Sequence, residues 1–354
     1  TNRLIRKRCR IELLAFKKSL KSEDKMKKFR AFQIDNIKEK ISTRFCDLEL
    51  DDLSDGDTVI KVTHSTINYK DALAATGKGK ILRKFPLIGG IDLSGVIVNT
   101  SSTSLEIGDT VVVNGCGLSE VRDGGYTEYA RMPAELIVKL PENIDSHMAM
   151  QIGTAGYTAA LAIHQMELNG QNPEKGPILV SGATGGVGSI AIDMLAKSGY
   201  EVIALTGKKD QSDFLHSIGA SEVLIRQDLD FGKRPLEKAK WGGAIDNLGG
   251  DILSWLMKTT RYGGNIASIG LAASHKLETT VMPLILRAVN LLGINSVDTP
   301  RELRKIVWQR IGTDLFPKNL KIIAPNQIEF DQLPDQFDDF IEGNIRGRLV
   351  VKIQ

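Results

Sequence analysis

Two rhythms of apolar and polar residues divide the chain. From Phe29 to about residue 140, short alternating or apolar runs recur, such as Phe29-Arg30-Ala31-Phe32-Gln33-Ile34, Val59-Ile60-Lys61-Val62, Ser94-Gly95-Val96-Ile97-Val98 and Asp109-Thr110-Val111-Val112-Val113. Runs of this length, bounded by turn clusters such as Ser54-Asp55-Gly56-Asp57 and Gly89-Gly90, predict β-strands. After Pro141 strand and helix patterns alternate. Helices are predicted over 154–165, 189–197, 213–218 and 252–259, and strands over 178–181, 202–205, 223–225, 244–246 and 265–269. Such alternation predicts an α/β unit, a doubly wound parallel sheet with helices on both faces. From about Leu320 strand patterning returns and ends on Arg348-Leu349-Val350-Val351-Lys352-Ile353. If that last strand rejoins the β-rich part, the α/β part is an insertion in it.

The densest local signal is Ile178-Leu179-Val180-Ser181-Gly182-Ala183-Thr184-Gly185-Gly186-Val187-Gly188. A buried strand runs into a glycine-rich turn and then a helix with Ile190, Ala191, Met194 and Leu195 on one face. Glycines let backbone approach a pyrophosphate, and the helix start offers free N–H groups to it. The expectation is dinucleotide binding; the plainer reading is a glycine turn without a ligand. One strand later, where NAD proteins place an acid for the ribose 2′-hydroxyl, stand Thr206-Gly207-Lys208-Lys209. Lys208, the Thr206 hydroxyl and Arg226 suit a 2′-phosphate, so NADPH is expected over NADH.

Composition narrows the rest. The 354 residues are 42% hydrophobic and 25% charged, which excludes wholesale disorder and suggests two domains. Net charge is +3, yet residues 1–25 carry nine Lys/Arg against three acids, leaving 37 against 40 in the remainder. The body thus has no basic excess to suggest nucleic acid. The tail reads either as an arm or targeting peptide or, with Met26 as the natural start, as upstream sequence outside the domains; no apolar core or cleavage signal favours targeting. Three isolated cysteines (Cys9, Cys46, Cys116) form no CxxC pair, and a reducing, cytoplasmic setting is expected. Residues 178–196 are apolar but broken by four glycines, so no membrane span is expected. The five histidines sit at no metal-ligand spacing, and metal-free chemistry is expected.

Candidate chemistry follows the strand at 59–67, where Asn68-Tyr69-Lys70-Asp71 offers an amide, a phenol, an amine and a carboxyl group. A phenol stays protonated near neutral pH and can donate to developing negative charge. A plain helix start is the alternative.

These residues carry a resemblance. Ser65-Thr66-Ile67-Asn68-Tyr69-Lys70-Asp71-Ala72-Leu73, Thr76-Gly77-Lys78-Gly79-Lys80, Gly90-Ile91-Asp92 and Ile152-Gly153-Thr154-Ala155-Gly156-Tyr157-Thr158-Ala159 contribute to it. So do the glycine loop, Arg234-Pro235-Leu236-Glu237-Lys238, Ala244-Ile245-Asp246 and Thr279-Thr280-Val281-Met282-Pro283. In this order they resemble a zinc-free medium-chain dehydrogenase/reductase of the acrylyl-CoA reductase group, also labelled quinone oxidoreductase or zeta-crystallin-like. The likeness runs from Met26 to Gln354.

The resemblance implies a GroES-like, partly open β-barrel catalytic domain over 26–151 and 299–354, and an NADPH-binding Rossmann domain over 152–298. It implies that Tyr69, Thr184, Gly185, Gly186, Val187, Thr206, Gly207, Lys208, Arg226, Leu271, Ile285, Ser296 and Arg348 bind the cofactor. Tyr69 is the candidate donor or orienter, with Asn68 and Asp71 in support, and solvent is the alternative proton source. Where zinc relatives carry a Cys and a Gly-His-Glu motif, this chain has Ser65-Thr66-Ile67-Asn68 and Gly90-Ile91-Asp92. The implied reaction is metal-free, NADPH-dependent reduction of acrylyl-CoA to propionyl-CoA, by a homodimer. A quinone substrate, or non-catalytic NADPH binding, is the alternative. Lys78, Lys80, Arg83 and Lys84 form either a cationic patch for CoA phosphates or a solvated loop. Departures are Lys208 for Arg, Asn247 for Thr, and Cys116 for Trp in the turn Gly115-Cys116-Gly117.

Overall fold

The computed structural model describes residues 28–354, and the basic segment 1–25 lies outside the described residues. Strand β1 (Phe29–Ile37) pairs antiparallel with β2 (Lys40–Leu48), from Phe29↔Leu48 to Ile37↔Lys40. The two-residue turn between them holds Lys38 and Glu39 at φ 53° and 66°, the hand that suits strand twist. Then follow β3 (Thr58–Thr66), α1 (Tyr69–Thr76), β4 (Leu87–Ile88), β5 (Asp92–Thr100), β6 (Thr110–Asn114), β7 (Tyr129–Met132) and β8 (Val138–Lys139).

The α/β part begins with α2 (Ser146–Leu168), β9 (Ile178–Ser181), α3 (Gly186–Lys197), β10 (Val202–Thr206), α4 (Ser212–Ser217) and β11 (Glu222–Ile225). It continues through β12 (Trp241–Asp246), α5 (Gly250–Thr259), β13 (Thr260–Ser268), α6 (Met282–Arg287) and β14 (Asn290–Gly293). The chain ends with α7 (Arg301–Ile311), α8 (Leu320–Ile323), β15 (Asn326–Glu329), α9 (Phe337–Glu342) and β16 (Leu349–Lys352). The strand pattern expected from Leu320 is corrected here. Leu320 to Ile323 is a helical turn, the strand starts at Asn326, and helical turns occupy most of 330–342. Short apolar runs such as Leu320-Lys321-Ile322-Ile323 fit either element.

The six strands of the α/β part form one parallel sheet in the order β11-β10-β9-β12-β13-β14. Its central strands are apolar up to their carboxyl ends, where Ser181 donates to Asp246 at 2.6 Å, because both faces are covered. Ile178 and Val180 pack with Met150, Tyr157 and Ile190 on the side of α2 and α3, whereas Leu179 packs with Leu205, Ile252 and Leu256 on the side of α5. Strand order reverses between β9 and β12, and ligands bind at the carboxyl ends beside such a switch point. The β-part holds a sheet in the order β15-β16-β3-β5-β6-β8, with β7 on β3, and a second sheet β2-β1-β4. The last strand does rejoin this part, through Val350↔Thr66, Val351↔Ser65 and Lys352↔His64.

The helix predicted from residue 154 starts earlier, and α2 is broken inside at Gly153, with φ 52° and ψ −162°. A Cβ at Gly153 would overlap the Arg348 Nη2 atom. The break lets the C-terminal arginine enter between the two halves of the molecule.

Candidate active site

Strand β9 leads through Gly182 (φ 60°) into α3, whose N-cap Gly185 gives no side-chain cap. The first amides of α3 therefore meet no competing side chain and are available to an anion. A Cβ at Gly188 would overlap the Gly182 carbonyl oxygen, and a Cβ at Gly185 would meet only that atom, at 3.4 Å. The loop thus closes tightly on itself and stays open towards a ligand, a cradle that fits a pyrophosphate. Thr184 and the half-buried Val187 belong to it, and the Thr184 carbonyl accepts from the Gly347 amide at 2.9 Å.

Strands β10 and β11 bring the next group together. The Thr206 hydroxyl accepts from the Lys208 amide at 3.0 Å, and Gln227 Nε2 donates to the Gly207 carbonyl at 3.1 Å. A Cβ at Gly207 would stand 3.6 Å from Arg226 Nη2. Arg226 is exposed and makes no ion pair among the described residues, while Lys208 Nζ reaches back to the Gly343 carbonyl. No Asp or Glu stands at the end of β10. A cavity of about 480 Å³ adjoins, lined by Arg226, Gln227, Leu229, Gly249, Ser274 and Lys276 among others.

Where β3 ends and α1 begins, Asn68 and Asp71 cap the helix reciprocally. Asp71 Oδ2 accepts from the Asn68 amide (2.8 Å) and Asn68 Nδ2 (3.1 Å), and Oδ1 accepts from the Ile91 amide (2.9 Å). Asn68 Nδ2 also donates to Asp92 Oδ2 at 2.8 Å. Asp92 in turn accepts from the Thr154 amide (2.9 Å) and hydroxyl (2.5 Å). Arg348, only 3% exposed, gives Nη1 to Asn68 Oδ1 and Nη2 to Thr66 Oγ1, each at 2.9 Å, and lies 3.8 Å from Asp92 Oδ2. Its Cδ would be 2.8 Å from a Cβ at Gly186, so it lies directly under the start of α3. Tyr69, the first residue of α1, stands on this buried support and is 47% exposed.

Two carboxyl groups share one guanidinium here, and the electrostatics follow. Burial, then the neighbouring Asp92, push the Asp71 carboxyl up to about 7. Burial, with Asp71 and Asp92 behind it, drives the Tyr126 phenol far above its ordinary value. The folded chain thus holds a proton on Asp71 that the unfolded chain releases near the ordinary carboxyl value. Stability from this group is full below about pH 4 and is lost as pH rises through about 7. Asp71→Asn should flatten that slope, so the melting temperature should change less between about pH 5 and pH 8 than in the native chain. A constant loss of about 1–3 kcal/mol should accompany it, because an amide cannot match every donor. An unchanged slope would show that Asp71 does not hold the proton.

The remaining expected positions lie along the other wall. Ser296 is half-buried and its carbonyl accepts from Arg304 Nη2 at 3.2 Å. It backs onto the Gly115-Cys116-Gly117 turn, where the Cys116 amide donates to the Val297 carbonyl at 3.1 Å. Burial pushes the Cys116 thiol up, as befits a filler rather than a nucleophile. Leu271 and Ile285 are 68% and 72% exposed and have no polar role. The structure thus gathers Asn68, Asp71 and Arg348 in one cluster, and Thr206, Gly207 and Arg226 in another. Asp92, Thr154 and Tyr126 complete the first cluster and were not singled out as site residues. Asp92 was visible only as the last residue of Gly90-Ile91-Asp92. Of the cationic patch, Lys78 is drawn to Asp338 at 3.4 Å, while Lys80, Arg83 and Lys84 are exposed. Among the described residues no group of three or more His, Cys, Asp or Glu could hold a metal ion, and no helix is long and apolar enough to cross a membrane.

Comparison with known proteins matches this geometry. Residues 54–142 match the alcohol dehydrogenase GroES-like domain, and residues 186–312 match the zinc-binding dehydrogenase family. The chain is 42% identical to the quinone oxidoreductase YhfP of Bacillus subtilis, over 92% of this chain and 99% of that one. It is 40% identical to the acrylyl-CoA reductase AcuI of Ruegeria pomeroyi, with the same coverage. The crystal structure of YhdH from Escherichia coli K-12, with bound NADPH, superposes with a TM-score of 0.88 at 41% identity, covering 92% of this chain and all of that one. That of YhfP, with NAD bound, gives 0.90, covering 93% of this chain and all of that one. The chain belongs to the medium-chain dehydrogenase/reductase family and is an NADPH-dependent oxidoreductase.

Proposed function

We propose that the enzyme reduces the activated C=C bond of a 2-enoyl-CoA, acrylyl-CoA to propionyl-CoA, without a metal. The carrying observation is the exposed Tyr69 phenol, held on a buried polar cluster directly under the start of the cofactor-loop helix. The likeness to AcuI across 99% of that chain names the substrate class. In this reading residues 26–151 and 299–354 are the catalytic domain, and 152–298 the cofactor domain. Thr184, Gly185, Gly186 and Val187 hold the pyrophosphate. Thr206, Gly207, Lys208 and Arg226 hold the 2′-phosphate, and Leu271, Ile285 and Ser296 border the nicotinamide half. Arg348 serves from beneath the loop.

NADPH held by these residues would supply a hydride for the β-carbon. The thioester oxygen then gains the electron pair as an enolate, and the α-carbon takes a proton. Tyr69 donates towards that charge, with Asn68 and Asp71 fixing the helix start that carries it. A homodimer is part of the proposal. The edge strand β14 and the exposed Leu284 and Leu286 of α6 offer unpaired backbone and apolar surface for it.

The test is loss of NADPH absorbance with acrylyl-CoA, crotonyl-CoA and a simple quinone side by side. Fast turnover of acrylyl-CoA with little on the quinone is expected. Quinone turnover alone would transfer the assignment to the activity in YhfP's name. Tight NADPH binding with no turnover would leave a binding protein. Tyr69→Phe should lower kcat at least tenfold. Undiminished turnover would remove Tyr69 from the chemistry.

A further inference from the structure

Four cations lie on or against the elements that carry Tyr69 and Ser296, and three of them are committed to partners. Lys70 pairs with Glu120. Arg304 gives Nη1 to the Asn114 carbonyl (2.7 Å) and Nη2 to the Ser296 and Val297 carbonyls (3.2 and 3.1 Å). Arg348 is sealed against Thr66, Asn68 and Asp92. The fourth, Arg122, is half-buried and has no side-chain hydrogen bond or ion pair among the described residues. Its Nε is sealed from solvent without a partner, whereas its Nη atoms are not among the sealed groups.

The loop that carries Arg122 spans both walls. At its base, Cys116 is tied to Val297, next to Ser296. At its crest, Glu120 holds Lys70, the neighbour of Tyr69, and the Glu120 carbonyl accepts from the Arg83 amide at 2.8 Å. The Arg122 amide donates to the Gly117 carbonyl (3.2 Å), its carbonyl accepts from the Ser119 amide (2.9 Å), and Asp123 beside it is bonded to Ser54 and Ile88. Arg122 Nε would lie 3.7 Å from a Cβ at Gly117. The backbone that carries Arg122 is therefore fixed, and its guanidinium has no partner among the described residues. Such a group gives up no existing ion pair or hydrogen bond to meet an anion, and a charge-assisted contact to it would be strong.

We propose that Arg122 is a specificity-determining residue that binds an anionic oxygen of the enoyl-CoA substrate, with its two Nη groups as donors. The inference rests on the enoyl-CoA reading above and adds a residue to it. Two oxygens fit the same chemistry: the thioester oxygen as it becomes an enolate, and a CoA phosphate. In the first case the C=O bond of the thioester opens as the hydride bonds to the β-carbon. The charge sits on oxygen against Arg122, and the carbonyl reforms when the α-carbon takes its proton.

The experiment is steady-state turnover of acrylyl-CoA by the native chain, Arg122→Gln and Arg122→Lys, with NADPH Kd and melting temperature measured on each. Arg122→Gln should lose about a hundredfold in kcat/KM, the size of one lost donor to developing charge, with NADPH Kd and melting temperature unchanged. Arg122→Lys should recover part of it. A fall in kcat assigns the contact to the enolate oxygen, and a rise in KM alone assigns it to a phosphate. Native-like kcat/KM in Arg122→Gln overturns the inference and leaves the enoyl-CoA reading standing. So does a loss matched by weakened NADPH binding or a lowered melting temperature. A native chain that does not turn over acrylyl-CoA overturns both.

Discussion

Replacing Arg348 by methionine should destabilise the fold by about 3–5 kcal/mol, the usual cost of removing one partner from a buried charge pair. Methionine keeps the unbranched stem that passes Gly186 and loses the Nη end that packs at Gly153, so part of the loss is packing and the rest is polar. What it leaves behind is polar. Asn68 Oδ1 and Thr66 Oγ1 lose bonds of 2.9 Å, and Asp92 and Asp71 lose the cation they share. The effect carries its own pH signature. Arg348 is attracted to Asp71 as well as Asp92, so without it the Asp71 carboxyl rises further and the deficit should be larger at about pH 8 than at about pH 6. Adding Asp92→Asn should restore part of the loss, since it removes the carboxyl group that faces the missing guanidinium at 3.8 Å. Chemical denaturation of the single and double variants at both pH values measures all of this. A deficit that is equal at both pH values, and additive with Asp92→Asn, would mean that Arg348 acts by packing alone.

Which features were legible in the sequence follows from how local their causes are. The run from Ile178 to Gly188 was legible because sheet burial on both faces demands unbroken apolar residues and the loop demands glycines, all within eleven adjacent positions. Strand β2 was not, because its turn uses Lys38-Glu39 rather than the Asn-Gly or Asp-Gly that advertises a hairpin. Helix α7 was hidden by Arg304, which takes a position on the buried face beside Val307, Trp308 and Ile311 and interrupts their period. The acid-free end of β10, where Thr206 and Gly207 meet Arg226, was legible as well. The support of Tyr69 was legible only in Asn68 and Asp71, which lie together. Asp92, Thr154 and Arg348 reach it from 24, 86 and 280 residues away, respectively. No local pattern records that Gly153 bends to admit the arginine, although the glycine itself was in view.

Gly207→Asp should weaken NADPH binding about a hundredfold and leave NADH binding equal or improved. The position tolerates a side chain, because a Cβ there would meet Gln227 Nε2 at 3.5 Å and Arg226 Nη2 at 3.6 Å, which is ordinary contact. The new carboxylate would thus stand against Arg226, a cation with no other ion pair among the described residues. Two losses follow for a 2′-phosphate. It forfeits a charge-assisted contact of about 1.5–3 kcal/mol, and it meets a like charge at the place where it must sit. About 2.7 kcal/mol in total corresponds to a hundredfold in Kd. NADH has a hydroxyl at that position, and an acid at the end of the second strand is what NAD proteins use to hold it. That a family scaffold accepts such a cofactor is visible in YhfP, whose crystal structure has NAD bound. Gly207→Asn separates charge from size, since it adds nearly the same volume and should cost NADPH far less. Titrating both cofactors into the three proteins decides the matter. An equal loss in Gly207→Asn, or an equal loss of NADH, would show that crowding rather than repulsion governs this corner. In that case the 2′-phosphate is not held between Gly207 and Arg226.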